Sequence, residues 1–256
     1  MRAKLERGLP ALISIALLFL AWEAYARLSG ISPTALPAPS RVLAEAWQYR
    51  QALADNTLPT LMATLMGFAL SLVAAFVLSV AVDFSEPLRR ALFPIFIISQ
   101  TLPLVAIAPL VVLWFGFGLV PKILLVALVT FFPMLVALTQ GYASTEEEIE
   151  QLLASMAAPK WRRFLLARLP SALPYFFAGL RISITYAVVG AIFAEYAGAA
   201  KGLGIYILSA KNNFRPDLVL AGVMVSSVLT LLLFGLSLLA AYLVMPWSRA
   251  TKERKR

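Results

Sequence analysis

The sequence predicts an all-α membrane protein with about six transmembrane helices. Three observations predict it. The 256 residues are 61% hydrophobic and only 14% charged, whereas a soluble domain is nearer half apolar and a quarter charged. The apolar residues gather into runs of about 20, the length that crosses a bilayer as a helix. Strand-type alternation is absent, which excludes a membrane barrel. There is no cysteine and no histidine. That removes disulfides, thiol chemistry, the usual imidazole base and the commonest metal ligand, so neither a metal nor a cofactor is expected.

Six runs define the spans, at 9–28, 59–82, 91–115, 121–141, 172–197 and 217–246. The first follows "MRAKLERG" and has the shape of a signal peptide, with "AYA" at 24–26 in the place of a cleavage site. An uncleaved first span is the preferred reading, because the later spans need no cleaved signal to insert. Between spans one and two, "SGISPTALPAPS" opposes a helix through Pro33, Pro37 and Pro39. "SRVLAEAWQYRQALADN" then reads as a short interfacial helix capped by Ser40, with Trp47 and Tyr49 at headgroup depth against membrane lipid.

The third run contains Pro103 and Pro109. Each removes a backbone donor inside the membrane, which is tolerated where protein or a water-filled cavity covers the freed groups. Interrupted helices often build transport sites near the midplane. Gln100 and Thr101 beside Pro103 are therefore candidates for a substrate path, with inter-helix hydrogen bonding as the alternative. In span five, Tyr186 is equally ambiguous, and Glu195 is the lone carboxylate. An ionisable residue in a span is a functional candidate. Glu195 lies near the outer end, so a water-exposed cap or a pair with Lys201 is the competing expectation.

The loop at 142–171 interrupts the apolar pattern. "STEEEIEQLLASMAA" reads as a helix capped by Ser144 or Thr145, with acids in its first turn. Ile149, Leu152, Leu153 and Met156 share one face. A bend near Ala157–Pro159 precedes a second helix carrying Lys160, Trp161, Arg162, Arg163 and Arg168. Amphipathicity alone fits a hairpin anchored on anionic lipid. It also fits a docking element with Trp161 as aromatic anchor.

Lysine and arginine set the orientation. With the N-terminus inside, the inner segments and tail hold fifteen basic residues and the outer segments seven. Both termini and the 142–171 loop are then cytoplasmic. The net charge of +9 sits at the ends of apolar runs, where topology signals belong, and does not indicate nucleic acid. No G-x-x-x-x-G-K-[ST] run and no Ser-His-Asp set occurs, so the chain has no phosphate-binding loop and no hydrolase constellation.

Several stretches resemble one family. "LPAPSRVL" at 36–43, "LPYFFAGLRIS" at 173–183 and "GAIFAEYAGAAKGLG" at 190–204 are similar to the ABC-importer permeases of the nitrate, sulfonate and taurine type. "ISQTLPLVAIAPLVVLWFGFGLVPK" at 98–122 resembles their thiamine-precursor branch. In the loop, "QLLASMA" at 151–157, nine residues, then "ARLP" at 167–170 has the spacing of that family's E-A-A, three residues, G, nine residues, I-x-L-P pattern. Only Leu169 and Pro170 match it literally. Gln151 stands for the glutamate, with Glu150 a possible substitute one residue earlier, and Ala157 stands for the glycine.

The resemblance implies a type I ABC-importer permease fold, one permease domain over 1–256, and no enzymatic activity of its own. It implies a homodimer in the inner membrane, a cytoplasmic ATP-binding subunit gripping the 142–171 loop, and a periplasmic or lipid-anchored substrate-binding protein. The solute it implies is hydroxymethylpyrimidine or a related thiamine precursor, with riboflavin, taurine, alkanesulfonate and nitrate as alternatives. The competing class is an ATP-independent channel or secondary transporter. The lack of carboxylates inside spans two, three, four and six counts against ion coupling.

Overall fold

The computed structural model describes residues 2–246, all helix and connecting turns. The basic residues of the tail, 249 onward, lie outside the described residues. In chain order the helices are α1 (Arg2–Leu28), α2 (Pro39–Gln48), α3 (Arg50–Phe84), α4 (Glu86–Thr101), α5 (Leu104–Phe115) and α6 (Leu119–Ala143). They continue as α7 (Glu147–Ser155), α8 (Lys160–Arg163), a π-helical turn (Phe164–Arg168), α9 (Leu169–Tyr196), α10 (Leu203–Asn212) and α11 (Pro216–Val244).

Among the described residues four helices are long and apolar enough to cross a membrane: α3, α6, the continuous Lys160–Tyr196 helix and α11. The α4–α5 pair adds a fifth if it is one span, but it is bent by 102°. The run at 91–115, expected to be interrupted at its prolines, is two helices meeting at Leu102–Pro103. Pro103 makes the break because it has no amide hydrogen and pushes Leu102 into the extended region, at φ −73° and ψ 122°. Pro109 lies inside α5 without ending it. The second span also differs from expectation. Helix α3 starts at Arg50 and runs 35 residues through Pro59, so residues 50–58 extend the span rather than the interfacial helix.

Ser40 is not the cap of α2. Ala38 holds that position and Pro39 opens the helix, where a missing N–H costs nothing. Ser40 instead ties α2 to α1: its amide donates to Glu23 at 2.9 Å and its hydroxyl to Glu23 at 2.7 Å. Farther on, Arg215 bonds Glu45 at 2.8 Å and Asp217 at 2.9 Å, fastening α2 to the start of α11. Trp47 stays exposed beside this packing.

The centre is the α3–α6–α9 triple. Met134, Leu135 and Leu138 of α6 are sealed between Ala75 of α3 and Ala172 of α9. In lipid no hydrophobic force presses helices together, so close backbone approach and dispersion must hold them. Gly141 permits that approach: a Cβ there would stand 2.6 Å from the Cα of Ala172. Replacing Gly141 with valine is expected to cost about 1–3 kcal/mol through overpacking, read as a lower melting temperature of the purified protein. Gly235→Val, where nothing lies within 4 Å, should leave that temperature nearly unchanged.

Candidate functional site: the 142–171 loop

The loop begins where α6 ends. Ser144 and Thr145 turn back, donating their hydroxyls to the carbonyls of Gly141 at 2.8 Å and Tyr142 at 2.9 Å. They finish α6 and do not cap α7, as the sequence suggested they would. Glu146 takes the N-cap position with extended backbone. Glu147, Glu148 and Glu150 then fill the first turn of α7 and complement its dipole. Gln151 donates to Glu147 at 3.1 Å, one turn back on the same helix.

Helix α7 ends in a Schellman turn built on alanine. Ala157 adopts φ 58°. Its amide bonds the carbonyl of Ala154 at 2.9 Å, and the amide of Ala158 bonds that of Leu153 at 3.0 Å. These are the two bonds that define the motif, whose left-handed residue is usually glycine. Ala157 therefore makes the bend that its place in the loop demanded. Pro159 follows with φ −65° and ψ 158° as the N-cap of α8, and its carbonyl accepts from Arg162 at 3.0 Å.

The prolines after this helix do not stop it. The chain runs as helix from Lys160 to Tyr196, and Pro170 and Pro174 lie within it. Pro170 cannot donate to the carbonyl of Leu166, and its ring crowds that carbonyl. The π-helical turn directly before it takes up the mismatch, and Leu169 donates five residues back to Phe164. Phe164 is buried, with its ring centroid 5.1 Å from Tyr142 of α6 and 5.4 Å from Phe84 of α3. Leu169 packs onto the central core.

This architecture leaves one face open. Ile149, Leu152, Met156 and Trp161 are all exposed, Met156 at 70%. The guanidinium of Arg162 lies 5.4 Å from the Trp161 ring centre, and the Lys160 side is equally open. The hairpin presents apolar side chains edged with cations, on a scaffold held by aromatic packing.

Glu150 is not free to substitute for the family's glutamate. Arg168 donates to both its oxygens, from Nη2 at 3.0 Å and from Nε in a very short contact. The same guanidinium reaches Asp83, at the end of α3, at 2.8 and 2.9 Å. The hydrogen bond from Arg168 holds the Glu150 carboxyl below its ordinary range, against a smaller opposing effect of burial. The contact is thus fully present above that range and is lost as pH falls through the lowered value. Sequence reading found Arg168 only as one more cation and missed Asp83. The available signal was an acid closing a long apolar run.

The other candidates lie elsewhere. Gln100 is exposed and donates weakly to Leu128 at 3.4 Å, while Thr101 bonds back to Ile98 at 2.8 Å. Pro103 and Tyr186 are also exposed. Glu195 is the opposite: it is 0% exposed, and its partner is Lys122 at 3.6 Å rather than Lys201. Thr60 donates to it at 2.9 Å and the Gly204 amide at 2.7 Å. Gly202, at φ 140°, brings its backbone so close that no side chain would fit beside that carboxylate. Glu195 is therefore neither a water-facing cap nor open to a path. It binds α9, α3, α6 and the 198–204 turn together at the end remote from the loop.

A bundle of long apolar helices around a close-packed triple, with a paired-helix hairpin projecting an unpartnered face, defines a multi-pass membrane subunit built to act with others. The chain belongs to the binding-protein-dependent transport system inner membrane component family, which matches residues 67–245. It is 35% identical to the formylaminopyrimidine transport permease protein ThiX of Halalkalibacterium halodurans, over 91% of this chain and 93% of that one. It is also 35% identical to the riboflavin transport system permease protein RibX of Chloroflexus aurantiacus, over 94% and 90%. The taurine permease TauC of Escherichia coli is 34% identical, over 91% and 88%. A chain of the MetNI methionine ABC transporter, solved in inward-facing conformations, shares the fold: TM-score 0.62, 16% identity, 78% of this chain and 97% of that one. The protein is thus a permease subunit of an ABC importer.

The left-handed alanine carries a measurable strain. Ala157→Gly is expected to relieve roughly 1 kcal/mol and to slow hydrogen exchange across residues 147–163. Ala157→Val should speed it.

Proposed function

We propose that this chain is the permease of an importer for a pyrimidine precursor of thiamine, hydroxymethylpyrimidine or its formylamino relative. The observation that carries the mechanism is the open face of the hairpin, with Ile149, Leu152, Met156 and Trp161 exposed around the Ala157 turn. A cytoplasmic ATP-binding subunit covers it and moves it. The chain acts as one permease domain over 1–256 and as a homodimer, with the solute path between the copies. Helix α1 and the bent α4–α5 pair each count as a span, giving six. Both termini and the loop are cytoplasmic, as the fifteen-to-seven distribution of basic residues supports. A periplasmic or lipid-anchored binding protein docks at the Glu195 end. Gln100, Thr101, Pro103 and Tyr186 are exposed in the single chain and line the path, while Glu195 serves as a buried fastening.

The substrate reading is supported by the ThiX relative and by the likeness of residues 98–122 to the thiamine-precursor branch. Riboflavin is the second reading, favoured by a relative of equal identity named for it.

Replacing Trp161 and Arg162 together with alanine removes an aromatic anchor and its stacked cation. The ATPase subunit should then co-purify at least about tenfold more weakly, and full retention would exclude the docking role. For the solute, cells with and without the gene are given labelled hydroxymethylpyrimidine. Gene-dependent uptake should be blocked by unlabelled formylaminopyrimidine and unaffected by taurine. Block by riboflavin alone would transfer the assignment to the second reading.

A further inference from the structure

The hairpin has a mechanical weakness that its charges repair. Within the chain, α7 packs chiefly against α8, and its apolar residues point outward. The backbone joining it to the bundle passes through an extended residue at Glu146 on one side and the left-handed Ala157 turn on the other. Such joints transmit a pull poorly. One side chain bypasses both. Arg168 stands where the π-helical turn meets α9, and its planar guanidinium grips Glu150 of α7 along the Nε–Nη2 edge and Asp83 of α3 through Nη1. All three side chains are partly sheltered, with Asp83 at 14%, Glu150 at 23% and Arg168 at 33% exposure. Two carboxylates on one fork satisfy its geometry in a way a lysine ammonium cannot. Buried Phe164, four residues earlier, anchors the arginine's own backbone between Tyr142 and Phe84.

We infer that Arg168 is a positioning residue that locks α7 to the end of α3 and the start of α9, so that displacement of the docking helix moves two spanning helices directly. The inference rests on the importer reading for its purpose but not for its geometry. Without the lock, the ATPase subunit moves α7 against its backbone joints alone and the spans lag. The arginine then acts on transport through Glu150 and Asp83, with no contact to solute or nucleotide.

The chain has no cysteine, so labels can be placed cleanly. Nitroxides go on Glu148→Cys in α7 and Val77→Cys in α3, both exposed positions, in the assembled transporter diluted with unlabelled permease. Electron–electron distances are taken nucleotide-free and after vanadate trapping. The parent should give one narrow distance, the same in both states. Arg168→Gln should broaden it, and Arg168→Lys should stay broad because charge without the fork cannot hold two carboxylates. In the uptake assay, ATP hydrolysed per solute imported should rise about fivefold or more in Arg168→Gln, with the ATPase subunit still co-purifying. A merely structural role would not move that ratio.

A parent distribution that Arg168→Gln leaves narrow overturns the lock, as does a lysine variant indistinguishable from the parent. If no ATPase subunit co-purifies with the parent, the importer reading fails. The nucleotide-free comparison of parent and variants still decides the lock.

Discussion

Backbone amides and carbonyls inside hydrocarbon have no water to bond, and each one left unpaired costs several kcal/mol. This constraint shapes the molecule. It makes the spanning segments among the described residues helical, and departures from regular helix fall at a few places. At Pro103 the helix gives up and turns by 102°. At Pro170 it keeps going, because a wider π-helical turn re-pairs the ladder. At Ala157 it closes with two bonds borrowed from the preceding turn. Two prolines and one left-handed alanine meet three different repairs, which leave a bend beside Gln100 and Thr101, a continuous helix out of the loop, and a hairpin that projects α7.

The same economy governs the charges. The bundle's central triple is held by small residues and shape, with Gly141 resting on Ala172. Two groups of charges, one toward each end, act as fastenings, while Arg181 in mid-α9 turns back to the Phe177 carbonyl at 2.9 Å. Glu195 and Lys122 close one end, drawing four segments together through Thr60 and the Gly204 amide. Asp83, Arg168 and Glu150 close the other. The dry middle and the fastened ends divide the labour between dispersion and electrostatics, each used where its surroundings make it strongest.

Much of this was legible in the sequence for a simple reason: spans announce themselves by length and apolarity, and those properties are local. The hairpin with its bend near Ala157 and the interrupted third run both came from neighbouring residues. What escaped was long-range. The Arg168–Asp83 contact joins residues 85 apart in the chain, and nothing near either position names the other. Glu195 looked like an edge charge because three glycines and an alanine-rich stretch follow it, yet those small residues are what let the backbone fold over and bury it. Caps failed for a related reason. Ser40, Ser144 and Thr145 each had the right chemistry for an N-cap, and each was claimed by a nearer or stronger partner.

The unbroken helix from Lys160 to Tyr196 has 37 residues. At about 1.5 Å per residue it is a rod of roughly 55 Å. A bilayer with its headgroups is about 40–45 Å thick. Held upright, the rod exceeds that thickness by about two turns, the length of the stretch from Lys160 through Leu166. Trp161 thus rides at one tip of a long, stiff lever whose far end is pinned at Glu195.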